Sequence, residues 1–164
     1  MKGIHLIPSL NRIDGLVGLC KTLRDTETKF PGWVIIDAVD FESKKSTYTE
    51  LKHDYFLDNW DFRVTKGVSM GDKCRDVWPE IETMNLDWVS IENDDHRIIT
   101  PHWDERLSAQ ITGKNIVSCS DRWMAPKKMA GATMISMKLL KVMGFPIFPP
   151  GLNHLYIDDL LETL

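Results

Sequence analysis

The sequence predicts an α/β fold, a mostly parallel sheet with helices on both faces, and three observations predict it. Short apolar runs recur, GIHLIP from Gly3, WVIID from Trp33 and WVSI from Trp88, each the length of a buried strand. Between them, apolar residues fall three and four apart, as on a helix packed against a sheet. Acidic and amide residues gather just beyond the second and third runs, Asp37 and Asp40 after one, Asn93, Asp94 and Asp95 after the other. Open α/β sheets bind ligands at such strand ends.

Taken in order, Gly3–Pro8 is a first strand that Pro8 ends, and Ile13, Leu16, Val17, Cys20 and Leu23 predict the helix after it. Trp33–Asp37 is a second strand. From Phe41 to Asp61 the chain is polar and aromatic, so loop is expected apart from a short helical stretch at Glu50-Leu51, with a third short strand at Arg63–Thr65. Cys74, Val77, Trp78 and Ile81 predict a helix over 71–83, kinked or restarted at Pro79. After the strand Trp88–Glu92, Thr100 and Pro101 are expected to open a helix as N-cap and first residue. Trp103 then falls on its core side. Ile116–Ser120 is a further apolar run. Gly131–Ser136 leads into a helix over Met137–Met143, with Gly144 as its stop. Three prolines make Phe145–Gly151 an irregular loop, and Asn153–Leu164 closes the chain.

The length of 164 residues suits one domain with its own core, and 43% hydrophobic with 27% charged residues is ordinary for a globular protein. A net charge of −4 argues against strong non-specific affinity for duplex nucleic acid, which depends on neutralising phosphates. The three cysteines, Cys20, Cys74 and Cys119, are widely spaced and form no CxxC pair, so neither a zinc knuckle nor a disulfide framework is expected. Met1–Leu10 lacks the pattern of a secretory leader, and no apolar run reaches the length of a membrane span. Cytoplasm is the default expectation.

Asn93-Asp94-Asp95 is the sharpest chemical signal. Adjacent carboxylates at a strand end repel unless a cation or proton neutralises one of them. A hard divalent metal that also holds a phosphate-bearing substrate does this with oxygen ligands. The alternative is an Asx-rich turn. Asp158 is placed to act as a general base, or simply to favour a helix N-terminus. His154 is a metal ligand or acceptor-site group, or a polar turn residue. Gly71-Asp72-Lys73 opens a helix where Lys73 could meet a phosphate, although no Walker A pattern is present and Asp72 could equally be a cap. Trp123, beside Arg122 and Lys127-Lys128, is either a cover over a substrate or a loop anchor.

In this order the pieces resemble a small glycosyltransferase of the GT-A fold, close to family 2 and to the compact versions common in bacteriophage genomes. The resemblance rests on IPSLNRIDGLVGLCKTL after the first strand, VIIDAVD at the second, WVSIENDDHRIITPHWDERL, and GATMISMKLLKVMGFPIFPPGLNHLYIDDLL. Such proteins read like IPSRGRP, then a strand with GDD and TPGWD, then a small-residue strand, a helix and HxYxD. Two departures stand out. Ser9-Leu10-Asn11-Arg12 replaces an Arg/Gly-rich loop, and Asn93 stands where a DxD motif opens on an acid.

The resemblance implies a single GT-A-like domain over 1–164, with residues 1–95 as its nucleotide-binding part and 96–164 as its acceptor side. It implies metal-dependent transfer of a sugar from a nucleotide-sugar donor, a UDP-sugar by preference, with Mn²⁺ or Mg²⁺ as cofactor. Pro8 and Ser9 would begin the nucleotide loop with Arg12 nearby, and Asp37 or Asp40 would face the base or ribose. Asp94 would sit at the diphosphate, Asp95 would bind the metal with His154 as a further ligand, and Lys73 or Arg12 would add positive charge. Asp158 would activate the acceptor hydroxyl, with inversion at the anomeric carbon. The acceptor stays open among a glycan, a protein and a modified nucleic-acid base. A phage-encoded enzyme would work in the host cytoplasm. Two rivals are a nucleotidyltransferase, which the single glycine in Ser9–Gly15 disfavours, and a non-catalytic binding or scaffold protein of the same fold.

Overall fold

A computed structural model describes residues 1–119, 132–144 and 146–150 of the chain. His154 and Asp158 lie outside the described residues, as do Arg122, Trp123, Lys127 and Lys128. The described chain forms β1 (Gly3–Ser9), α1 (Ile13–Asp25), β2 (Gly32–Asp37), α2 (Ala38–Ser43), α3 (Lys45–Tyr55), β3 (Trp60–Thr65), α4 (Met70–Thr83), β4 (Trp88–Ile91), α5 (Trp103–Ser108), β5 (Ile116–Ser118), β6 (Thr133–Ser136) and α6 (Met137–Met143).

Six strands make one sheet in the order β3-β2-β1-β4-β6-β5. The first four are parallel, and β6 and β5 add antiparallel pairs at one edge. Every residue of β1 and β2 is buried, which is why these strands read as unbroken apolar runs. Pleating sends Ile7, Val34, Ile36 and Met134 to one face, where Leu16, Leu19 and Leu23 of α1, Tyr48 and Leu51 of α3, and Trp103 of α5 cover them. Ile4, Leu6, Ile35 and Val89 face the other way, under Cys74, Val77 and Ile81 of α4 and Leu140 of α6. Each fully buried leucine contributes about 1.5–3 kcal/mol, so α1 is held chiefly by its apolar stripe. Helices therefore cover both faces, as expected for an α/β sheet. None of the described helices is long and apolar enough to cross a membrane.

Four local expectations need correction. The stretch from Phe41 to Asp61 is mostly helical, because Asp37 caps α2 by accepting the Asp40 N–H at 2.9 Å and Tyr48 and Leu51 anchor α3 in the core. The third strand begins at Trp60, whose indole packs over Gly32; a Cβ there would lie 2.5 Å from the ring. α4 runs through Pro79 without interruption, since its buried residues on either side of the proline outweigh one missing hydrogen bond. Finally, α5 begins at Trp103 and not at Pro101: His102 adopts a left-handed conformation, φ 53°, and donates its N–H to the Thr26 carbonyl at 2.8 Å, which breaks the chain direction there. Gly144 stops α6 as expected, with φ 73° and its N–H on the Leu140 carbonyl.

Candidate functional site at the β1–β4 switch point

In the sheet order, β1 leaves through α1 on one face and β4 is reached through α4 on the other, so the crevice beyond β1 and β4 is a topological switch point. Three side chains meet in it. Ser9 Oγ, at the end of β1, donates to Asp94 Oδ2 at 2.7 Å, and both residues are buried. Arg12, in the loop before α1, donates from one guanidinium nitrogen to Asp94 Oδ1 at 3.1 Å and to Asp95 Oδ2 at 2.9 Å. Asp95 is open to solvent, with its side chain 58% exposed, as is Arg12 at 57%. Hydrogen bonding and charge attraction from Asp94, then Asp95, raise the Arg12 pKa above its ordinary value. One inward carboxylate thus fixes the loop while its neighbour faces outward.

The close approach of the two segments requires Gly15. A Cβ on Gly15 would lie 2.9 Å from the Asp94 carbonyl oxygen, a backbone atom that cannot yield alone. Gly15→Ala is expected to lower stability by about 1–3 kcal/mol, against a gain of about 1 kcal/mol from better helix propensity. Thermal unfolding of the variant measures the net loss.

Asp40 and Asp37 build the frame around this crevice. Asp40 Oδ2 accepts the Asn11 N–H at 2.8 Å and the Tyr48 hydroxyl at 2.7 Å, and Oδ1 accepts Lys44 Nζ at 2.8 Å. Burial alone would raise the Asp40 pKa, but Lys44, Tyr48 and the Asn11 N–H bring it below the ordinary carboxylate value. Asn11 itself is left-handed, φ 55°, so Asp40 holds a strained turn between Ser9 and Arg12. Burial first, then Asp40, pushes the Tyr48 phenol well up.

Lys73 is placed inside the protein and not on the crevice surface. It is 1% exposed, donates to the Ser9 carbonyl at 2.5 Å and lies 3.4 Å from Asp37 Oδ2. The α4 N-terminus is instead closed by a capping box between Ser69 and Asp72. Pro8 is buried within β1, one residue before the crevice. The structure therefore brings Ser9, Arg12, Asp94 and Asp95 together, with Asp37, Asp40 and Lys73 behind them. The Asn11, Lys44 and Tyr48 contacts carry no local sequence signal, because they depend on α3 packing beside the β1 loop.

Among the described residues, no group of three or more His, Cys, Asp or Glu side chains is assembled to hold a metal. The donor chemistry nevertheless fits a hard cation. Asp95 offers an exposed carboxylate beside Asp94, and Mg²⁺-type ions are commonly held by one or two carboxylates plus substrate phosphates.

No protein-family model matches the sequence, and no curated protein sequence matches it significantly. Solved structures do match. A mannosyltransferase, PcManGT from Pyrobaculum calidifontis, in complex with GDP-Man and Mn²⁺, is similar with a TM-score of 0.61 at 15% identity, covering 88% of this chain and 47% of that one. TarS 1-349 of S. aureus gives 0.63 at 16%, covering 99% of this chain and 54% of that one. The chain has a GT-A-like fold. A 4-diphosphocytidyl-2C-methyl-D-erythritol synthase from Anaerococcus prevotii shares it, with a TM-score of 0.53, 8% identity, and coverage of 87% and 74%. This GT-A-like chain spans about half the length of the first two structures.

Proposed function

We propose that the protein is a metal-dependent glycosyltransferase that takes a sugar from a nucleotide-sugar donor, a UDP-sugar by preference, and passes it to a hydroxyl acceptor with inversion. The observation that carries this reading is the Ser9–Asp94–Arg12–Asp95 cluster at the switch point, in a GT-A-like fold. Pro8 and Ser9 end the strand beneath the donor, and Asp94 keeps Ser9 and Arg12 in register. Arg12 supplies a guanidinium to the diphosphate, for which its planar donors are suited. Asp95, with His154 as a further ligand, would hold Mn²⁺ or Mg²⁺, which supplies charge neutralisation at the leaving diphosphate when bound. Asp158 takes the proton of the acceptor hydroxyl as general base. Asp37, Asp40 and Lys73 position the loop in this reading, a change from direct roles at the base, ribose or phosphate. The resemblance to compact phage glycosyltransferases, and with it a host-cytoplasmic location, belongs to the same proposal.

Calorimetric titration with UDP, with and without Mn²⁺, tests it. Binding strengthened by Mn²⁺ is expected, with that strengthening lost from Asp95→Ala; equal binding with and without metal would overturn the metal role. The shared fold of the diphosphocytidyl-methylerythritol synthase keeps a nucleotidyltransferase reading in play. Offering a UDP-sugar in one assay and UTP with a sugar phosphate in another separates the two: nucleoside diphosphate release from the first supports sugar transfer, and pyrophosphate release from the second supports the rival.

A further inference from the structure

Below the crevice lies a second charged constellation that the nucleotide reading does not use. His5, Glu92 and Asp104 are all 0% exposed. His5 stands in β1 opposite Ser90 of β4. Its Nδ1 is 2.6 Å from Ser90 Oγ and 3.2 Å from Glu92 Oε1, and its Nε2 is 3.7 Å from Asp104 Oδ2, an ion-pair distance. Ser90 Oγ donates to Glu92 Oε1 at 2.8 Å. The rings of Trp60, Trp88 and Trp103 close around the imidazole with centroids 5.7, 5.2 and 5.0 Å away. His96 Nδ1 lies 3.9 Å from Glu92 Oε2, and Cys119 also feels the Glu92 charge.

Proton accounting assigns the charge state. A serine hydroxyl has one hydrogen, and Ser90 gives its hydrogen to Glu92, so toward His5 it is an acceptor and Nδ1 must carry a proton. Nε2 faces the Asp104 carboxylate, and a bare lone pair there would be repelled. A proton on each nitrogen is the arrangement that suits both acids, with Nε2 meeting Asp104 at ion-pair range and not through a hydrogen bond. The imidazolium offsets two buried carboxylates, which would otherwise be very costly, and lies among indole rings that favour cations.

The position of the two acids gives this charge a task. Glu92 is the first residue past β4, and Asp104 sits in the first turn of α5, where it also accepts the N–H groups of Lys29 and Phe30 at 2.7 and 2.9 Å. We propose that His5 is a positioning residue whose buried imidazolium ties both ends of segment 92–104 to β1 and so holds Asp94 and Asp95 against Ser9 and Arg12. The inference rests on the proposed nucleotide site only for its ligand-binding consequence.

The linkage has a defined sign. Burial alone would lower the His5 pKa, but Asp104 and Glu92 reverse this and leave it raised above 6.5. His5 therefore contributes stability in full below that unfolded value, and the contribution is lost as pH rises through the folded value. Burial alone would raise the Asp104 pKa, but His5 and the Phe30 and Lys29 N–H groups leave it lowered below 3.8. Its contribution is present above 3.8 and lost as pH falls through the folded value.

Nitrogen NMR of the wild-type ring at neutral pH should show two N–H protons on His5; a single one would overturn the proposal. In His5→Gln, amide exchange of Glu92 and His96, whose N–H groups bond the Leu6 and Asn93 carbonyls and so report on the segment that carries Asp94 and Asp95, should quicken about tenfold, the scale of one lost hydrogen bond to a charged group, and unchanged exchange would also overturn it. Adding Glu92→Gln should restore protection, because one of the stranded carboxylates is gone. Additive effects would mean that His5 merely fills space. Should His5→Gln fail to fold, the double variant and the wild-type ring carry the test. Affinity for UDP with Mn²⁺ should fall about tenfold in His5→Gln. If the wild type binds no UDP, the nucleotide reading fails while the ring and exchange measurements still decide this one.

Discussion

Asp94→Ala is expected to abolish metal-dependent nucleotide binding, with affinity falling about 100-fold or more, while Asp95→Ala removes only the part that Mn²⁺ adds. The two neighbours differ because their surroundings differ. Asp94 is buried, and each of its oxygens has a partner, Ser9 Oγ on one and Arg12 on the other. Removing it strands the Ser9 hydroxyl, frees Arg12 to follow Asp95 alone, and leaves a small cavity beyond the ends of β1 and β4. Asp95 is exposed and, among the described residues, hydrogen-bonds the Arg12 guanidinium alone, so its removal leaves the loop standing. Titration of both variants with UDP, with and without Mn²⁺, separates the effects. Glu50→Ala, on the exposed side of α3, is the control and should bind as wild type. Equal losses in both aspartate variants would show that Asp94 is not the residue that sets the loop.

The sheet was legible because β1, β2 and β4 are buried on both faces, so that burial alone writes them as apolar runs. α1 and α6 were legible for a similar reason, each having a single stripe against the core and, in α6, a glycine that closes it. α3 was legible only at Glu50-Leu51 although Tyr48, Leu51 and Tyr55 follow helical spacing, because threonines and charged residues dilute the stripe and only Tyr48 and Leu51 are buried. β3 is an edge strand whose Asp61 and Arg63 are exposed enough to pair with Lys52 and Glu80, which hid its first half. Of the cluster, Asp94 and Asp95 were legible because acids at a strand end are a local signal, whereas Ser9 and Arg12 were named only through the resemblance of the loop after β1. The His5–Glu92–Asp104 group was not legible. Glu92 and Asp104 stand 87 and 99 positions from His5 with no motif to link them, and they meet it only through the parallel register of β1 with β4 and the docking of α5 on the Lys29–Phe30 backbone.

The second large effect concerns stability, and it decides what Lys73 does. Lys73→Met is expected to destabilise the protein by about 3–5 kcal/mol, the usual result of leaving a buried charge without its partner. Methionine keeps most of the apolar stem, so little packing is lost. What disappears is the ammonium that reaches from α4 to the ends of two strands, 2.5 Å from the Ser9 carbonyl and 3.4 Å from Asp37 Oδ2. That Asp37 oxygen has no hydrogen-bond partner among the described residues, so the ammonium is what compensates its charge. Asp37→Asn in the Lys73→Met background should then recover much of the loss in urea unfolding, since the amide carries no charge and its oxygen can still accept the Asp40 N–H that starts α2. A phosphate-binding Lys73 would behave in the opposite way. Its removal would leave stability nearly unchanged, Asp37→Asn would give no rescue, and only nucleotide affinity would fall. The burial of Lys73 makes the first pattern the expected one: the ammonium holds the carbonyl of the same serine whose hydroxyl meets Asp94, so one residue sets both the strand end and the orientation of the crevice above it.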